Sequence, residues 1–201
     1  MNKIDYILNK YTISQSSYDN DTRLAYDDIF DIYQDLDLNI LEQVDFLIIK
    51  PDAILEHQTL DILDFLNSYK IEILGYKIKT YFYEFEKEAI YRYCLNDGRN
   101  NWYIRKEIFE IGPSIGLIVK SNVNIFQLMK KLKGSSNALT ADLNTIRKIY
   151  GKNMVMNAIH SSDDPISVIR ESKYFFTKQE IYDILHKNFL YDDIKILIIN
   201  F

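Results

Sequence analysis

The stretch Asn157-Ala158-Ile159-His160-Ser161-Ser162-Asp163 decides how the rest of the chain is read. Two apolar residues lead into a lone histidine, and small polar residues follow it. Taken alone, this pattern describes a structural histidine with satisfied ring nitrogens. Its surroundings point elsewhere. Thr145-Ile146-Arg147 lies one short element upstream, and Glu171 lies downstream in a run with helical spacing. Far earlier, the apolar run Val44–Ile49 reads as a strand. Lys50-Pro51-Asp52-Ala53 closes it as a turn, because Pro cannot continue a ladder. A histidine that carries a phosphoryl group needs such partners. It needs a carboxylate to fix its tautomer, and cations and amide donors for the phosphate oxygens.

Working outward, residues 155–159 predict a short strand approaching His160, and 165–171 a helix. Asp163 and Asp164 stand near the start of that helix, where negative charge is favoured. Residues 124–133 carry Ile125, Leu128, Met129 and Leu132 on one helical face, with Gly134 as the stop signal. Residues 135–143 have no apolar periodicity and read as loop; 145–150 read as a short helix. Ser114–Lys120 is a strand rich in Ile, Leu and Val. Residues 70–83 form a mostly alternating strand broken by Gly75, and 58–69 an amphipathic helix. Residues 84–95 and 102–110 read as helices on either side of Asn96-Asp97-Gly98. Phe175 and Phe176 read as core, 180–186 as helix and 194–199 as an apolar strand-like tail. This order fits an α+β antiparallel sheet with helices packed on it, built on split βαβ units. The chain then divides into a leader (1–43), a main domain (44–177) and a C-terminal helix with its tail (178–201).

In the leader, Asp and Glu far outnumber Lys and Arg, so it carries more than the whole net charge of -5 and the rest of the chain is slightly positive. Within it, Ile29, Ile32, Tyr33, Leu36 and Ile40 recur at roughly helical spacing. Two uses fit the leader: a helical extension packed on the domain, or an acidic docking segment. A chain of 201 residues with 47% hydrophobic content is long enough for one sizeable domain with extensions. The net charge argues against nonspecific nucleic-acid binding. No apolar run approaches the roughly 18 residues of a spanning helix. The start lacks the layout of a signal peptide. The single cysteine, Cys94, rules out an internal disulfide and reads as packing. Together these features lead us to expect a cytoplasmic protein. Its three histidines are too scattered in sequence for a zinc site.

The motifs in their order resemble the nucleoside diphosphate kinase family. That family shows I-I-K-P-D-A, then G-P, T-N-P-A, T-I-R and N-x-I-H-G-S-D-S, with a Glu further on. The chain reads Ile48-Ile49-Lys50-Pro51-Asp52-Ala53, Gly112-Pro113, Ser136-Asn137-Ala138, Thr145-Ile146-Arg147 and Asn157 to Asp164, with Glu171. The resemblance covers roughly residues 44 to 177. It implies a ferredoxin-like fold. It also implies transfer of the γ-phosphate of a nucleoside triphosphate to a diphosphate through phospho-His160.

By the same resemblance, Glu171 orients His160, and Lys50 and Arg147 are phosphate cations. Asn157 would donate to the nucleotide, and Ser162 would position Glu171 or the phosphate. Ser136 stands where the family has Thr, and Lys130 where it has a phosphate-binding Arg, so the bidentate fork is lost there. Tyr93 matches the phosphate-side Tyr, with Tyr91 as its rival. Trp102 falls where the family stacks the base on Phe, or else it belongs to the core. Mg²⁺ is expected to arrive with the nucleotide phosphates, with Asp163 touching it through water.

The expected partners are nucleoside tri- and diphosphates and further copies of the chain. The departures are Ser161 for Gly, Val155-Met156 for Gly-Arg, Ile111 for Ser before Gly-Pro, Ala138 for Pro, and Asp142-Leu143-Asn144 for Lys-Pro-Gly. The altered loop builds subunit contacts in the family's hexamers, so a smaller homo-oligomer is expected. Two other functions fit the same residues. One is a phosphotransferase specialised for an unusual nucleotide; the other is a catalytically weak nucleotide-binding module.

Overall fold

A computed structural model describes residues 28–33, 35–91 and 106–186. Tyr93, Cys94, Trp102, the turn 96–98, the tail 194–199 and residues 1–27 of the leader lie outside the described residues.

Among the described residues four strands form one sheet: β1 (Val44–Ile49), β2 (Glu72–Lys79), β3 (Ser114–Lys120) and β4 (Ile159–Ser161). Their order is β2-β3-β1-β4, and every pairing is antiparallel. The helices are α1 (Leu38–Leu41), α2 (Pro51–Leu55), α3 (Thr59–Ser68), α4 (Glu84–Ile90), α5 (Ile125–Lys133), α6 (Ile146–Tyr150), α7 (Pro165–Ser172) and α8 (Lys178–His186). This is the α+β antiparallel arrangement that the element order predicts and the ferredoxin-like fold that the resemblance implies.

β1 is the centre of the sheet, and all six of its residues are buried. Successive side chains of a strand point to opposite faces. Phe46 and Ile48 therefore enter one core, with Ile166, Val168 and Ile169 of α7 and with Phe175 and Phe176. Leu47 and Ile49 enter the other, with Ile62, Leu63 and Leu66 of α3 and Ile125, Met129 and Leu132 of α5. A strand buried on both faces reads as a continuous apolar run. The Phe46 ring lies 5.4 Å from Phe175 and 6.4 Å from Phe176.

The leader joins the first core: Ile29, Ile32, Tyr33 and Leu36 are all buried. Residues 28–33 are helical, but the helical run does not continue unbroken to Leu41. The Asp37 side chain accepts from Asn39 N and starts α1 anew.

Three further expectations are corrected. Lys50 to Ala53 is no simple turn; Pro51 opens α2, since its fixed φ and missing N–H suit a first helical position. β4 begins at Ile159, where it was expected to end, so His160 sits inside the strand. Of the helix expected over 102–110, the described part is chiefly a 3-10 turn, Glu107–Glu110. The break at Gly75 is a register shift in β2 between Ile73 and Gly75. Among the described residues no helix is long and apolar enough to cross a membrane.

Candidate active site

His160 is held by the shortest strand of the sheet, at its edge. Its backbone pairs with Ile48 of β1. Lys50 N donates to Ala158 O (2.9 Å) and Ser162 N to Phe46 O (3.0 Å), so residues 158, 160 and 162 face β1. Just before the strand, Ala158 takes φ 65°, a conformation that costs a residue with a Cβ roughly 1 kcal/mol or more. The early motif holds it there: the Asp52 carboxylate accepts from Ala158 N at 2.8 Å. Lys50 and Asp52 thus clasp the approach to His160 across the sheet.

His160 Nε2 lies 2.8 Å from Glu171 Oε2. The same oxygen accepts from Ser162 Oγ at 2.8 Å, and Oε1 accepts from Arg170 at 2.7 Å. Glu171 and Arg170 are almost fully buried on α7. Burial alone would push the Glu171 carboxyl up. The charge and hydrogen bond of His160, with Arg170 and Ser162, outweigh it and hold the group below its ordinary value. An ionised Glu171 on Nε2 fixes the tautomer that carries its proton there, which leaves Nδ1 with its lone pair. Among the described residues Nδ1 has no hydrogen-bond partner, and the Tyr91 ring stands edge-on to the imidazole at 6.0 Å.

Because 158, 160 and 162 face β1, the carbonyls of Ile159 and Ser161 point away from β1, off the edge of the sheet as the described residues form it. Cations occupy both. Arg147 donates to Ile159 O (3.2 Å) and to Gly134 O (3.1 Å). Lys133 reaches Ser161 O (3.5 Å), Ser161 Oγ (2.7 Å) and Asp163 Oδ1 (3.2 Å). A cavity of about 580 Å³ opens over this edge. Its wall combines His160 and Glu171 with Lys130, Lys133 and Arg147 as cations, and with Ser136, Asn157, Asp163 and Tyr91. The arrangement offers a nucleophilic nitrogen, an orienting carboxylate and a ring of positive charge, which suits an anionic ligand.

The residues named from the sequence fall into three groups. His160, Glu171, Lys130, Ser136, Arg147, Asn157 and Asp163 all line the cavity. Lys50 and Ser162 do not, and the structure puts them behind it. Lys50 is 1% exposed and donates to Asn157 Oδ1 at 2.6 Å and to Val155 O. Asn157 in turn donates to Ser136 O (2.7 Å) and Met154 O (3.1 Å). Its amide is thus committed to the protein, and Lys50 and Asn157 shape the wall. Tyr93 and Trp102 lie outside the described residues; among the described tyrosines Tyr91 lines the cavity. Lys133, Ser161 and Arg170 were not assigned from the sequence. The signals were present: Lys133 follows Lys130 at helical i, i+3 spacing, and Arg170 adjoins Glu171.

Among the described residues no group of three His, Cys, Asp or Glu side chains is placed to hold a metal ion. The carboxylate at the cavity rim is Asp163, whose side chain is 75% exposed.

The family description Nucleoside diphosphate kinase matches residues 43–181. A nucleoside diphosphate kinase of Rickettsia canadensis is 31% identical over 142 residues, covering 70% of this chain and 98% of that protein. One from Methanobrevibacter smithii is 28% identical over 160 residues, covering 75% and 99%. In structure, the halophilic nucleoside diphosphate kinase from Halobacterium salinarum, solved in complex with CDP, matches with a TM-score of 0.59 at 24% identity, over 69% of this chain and 90% of that one. The Aquifex aeolicus nucleoside diphosphate kinase matches with a TM-score of 0.57 at 23% identity, over 69% and 97%. Sequence, fold and the order of the motifs around His160 agree, and the chain belongs to the nucleoside diphosphate kinase family.

Proposed function

We propose that the protein moves the γ-phosphoryl group of a nucleoside triphosphate to a nucleoside diphosphate through phospho-His160. The observation that carries this reading is the His160–Glu171 contact at 2.8 Å through Nε2, with Nδ1 left for attack. In the first half-reaction Nδ1 attacks the γ-phosphorus. The N–P bond forms, the bond from that phosphorus to the β–γ bridging oxygen breaks, and the diphosphate leaves with the electron pair. The imidazolium that develops is stabilised by Glu171, which Arg170 and Ser162 hold ionised and in place. In the second half-reaction a terminal oxygen of another diphosphate attacks the phosphorus and the N–P bond breaks. His160 is then regenerated.

Arg147 and Lys130 line the cavity as cations for the phosphate oxygens. Lys50 acts from behind by fixing Asn157 and the Val155 carbonyl. Mg²⁺ bound to the nucleotide phosphates would supply neutralisation of their charge, and Asp163 at the rim is the residue that would contact it through water. Tyr91 supports the imidazole from the edge.

Incubation with γ-labelled ATP and Mg²⁺ tests the reading. An acid-labile, base-stable phosphoprotein is expected from the wild type and none from H160A, while H160A still binds nucleotide. Equal labelling of the two proteins removes His160 as the nucleophile.

A further inference from the structure

We propose that Lys133 is a phosphate-binding cation of this site, held in place by Ser161, and that it reads the terminal phosphate of the triphosphate. The inference rests on the phosphotransfer reading and adds a residue that the motifs around His160 do not supply. Lys133 is the last residue of α5, and the chain turns at once through Gly134 at φ 78°. A Cβ at Gly134 would come within 2.5 Å of Thr145 Oγ1, so the turn is confined to glycine. The turn leaves the Lys133 ammonium directed at β4, where it donates to Ser161 Oγ at 2.7 Å.

Three observations make this an anion site. First, Lys133 and Arg147 occupy the two outward carbonyls that flank His160, those of Ser161 and Ile159. Second, both cations and His160 line one cavity. Third, Lys133 is the more buried member of its ion pair. Its side chain is 14% exposed, while its carboxylate partner Asp163 is 75% exposed and 3.2 Å away. A largely desolvated ammonium facing a solvent-bathed carboxylate gains more from an incoming phosphate than a surface lysine does. Ser161 stands where the family motif has Gly, and a glycine offers no hydroxyl. The serine and the lysine therefore act as a unit: Ser161 positions, and Lys133 binds.

Calorimetric binding of ATP and of AMP, each with Mg²⁺, to the full-length wild type, K133M and K133R tests this. A lost charge-assisted phosphate contact lowers ATP affinity about 10- to 100-fold in K133M. AMP affinity stays within about twofold, and K133R regains most of the loss, since the charge returns. S161G keeps the charge but removes the hydroxyl, and shows a smaller loss confined to ATP; it carries the test if K133M does not fold. ATP affinity unchanged in K133M, or ATP and AMP weakened equally, overturns the proposal. A wild type that binds ATP through Lys133 but forms no phosphohistidine leaves this inference standing and sinks the phosphotransfer reading. A wild type that binds no nucleotide sinks both.

Discussion

Glu171 accepts from three donors while buried, and that places the most sensitive chemistry of the site on one carboxylate. Glu171→Gln keeps the shape but removes the charge that stabilises the imidazolium and fixes its proton on Nε2. Phosphoryl transfer should fall at least about tenfold with the fold intact, by the logic of an orienting carboxylate; an unchanged rate would place the orienting group elsewhere. Arg170→Met strips Oε1 of its cation and should cost on the order of 3 kcal/mol, because it leaves a buried carboxylate short of a partner.

The pH dependence has a definite sign. Glu171 is held below its ordinary value of 4.5, so its contribution to stability is complete above that value. The contribution drains away as pH falls through the lower folded value. Arg170→Met should move that loss to higher pH, which acid titration of the melting temperature checks. His160, Glu171 and Arg147 were legible in the sequence because short motifs name them. Arg170 was not, since an arginine in a helix reads as solvated until the packing is known. Lys133 sits in the run Lys130-Lys131-Leu132-Lys133, which reads as ordinary charge at a helix C-terminus. Only the return of β4 gives it a partner.

Among the elements, α7 carries Glu171 and is set by its cap. The Asp164 side chain accepts from Ile166 N and Ser167 N, both at 2.8 Å. Asp164→Ala should cost about 1–2 kcal/mol by thermal unfolding. The effect on transfer should be larger than that of a cap on a helix remote from the cavity. β1 carries a different cost. Asp45 is 0% exposed, and among the described residues its Oδ2 has no hydrogen-bond partner. Burial, against a partial offset from Lys133, pushes its carboxyl well above the ordinary 3.8. Folding therefore favours the protonated form, and stability from this position falls as pH rises through that value. Asp45→Asn should raise stability at pH 7 by about 1 kcal/mol or more, about 2–4 °C per kcal/mol in Tm, with no gain at pH 3. A Tm gain at pH 3 equal to that at pH 7 would contradict the assignment.

Strands β1 and β3 were readable because burial on both faces gives mostly apolar runs, interrupted in β1 by Asp45. β4 was misplaced because its boundary is set by pairing with β1 and by the bend at Ala158. Neither leaves a mark in local composition. In the described part of the leader, α1 is a separate helix from residues 28–33 because the Asp37 side chain caps a new start.

At the scale of the whole molecule, assembly follows from the loop that departs from the family. The loop 135–143 lacks the family's prolines, yet Asn144 takes φ 66°, the conformation that the glycine of Lys-Pro-Gly would supply. Leu139 and Leu143 are 67% and 79% exposed, so the loop keeps apolar tips without its rigid frame. We expect a dimer or other oligomer smaller than a hexamer, read by light scattering at micromolar concentration. A stable hexamer that survives deletion of residues 188–201 contradicts this. The most direct test of the whole account is a chase. The phosphoprotein formed from γ-labelled ATP is freed of nucleotide and mixed with an unlabelled nucleoside diphosphate and Mg²⁺. The account predicts that the label leaves His160 and appears in the nucleoside triphosphate. Label that stays on the protein, or emerges as inorganic phosphate, would contradict it.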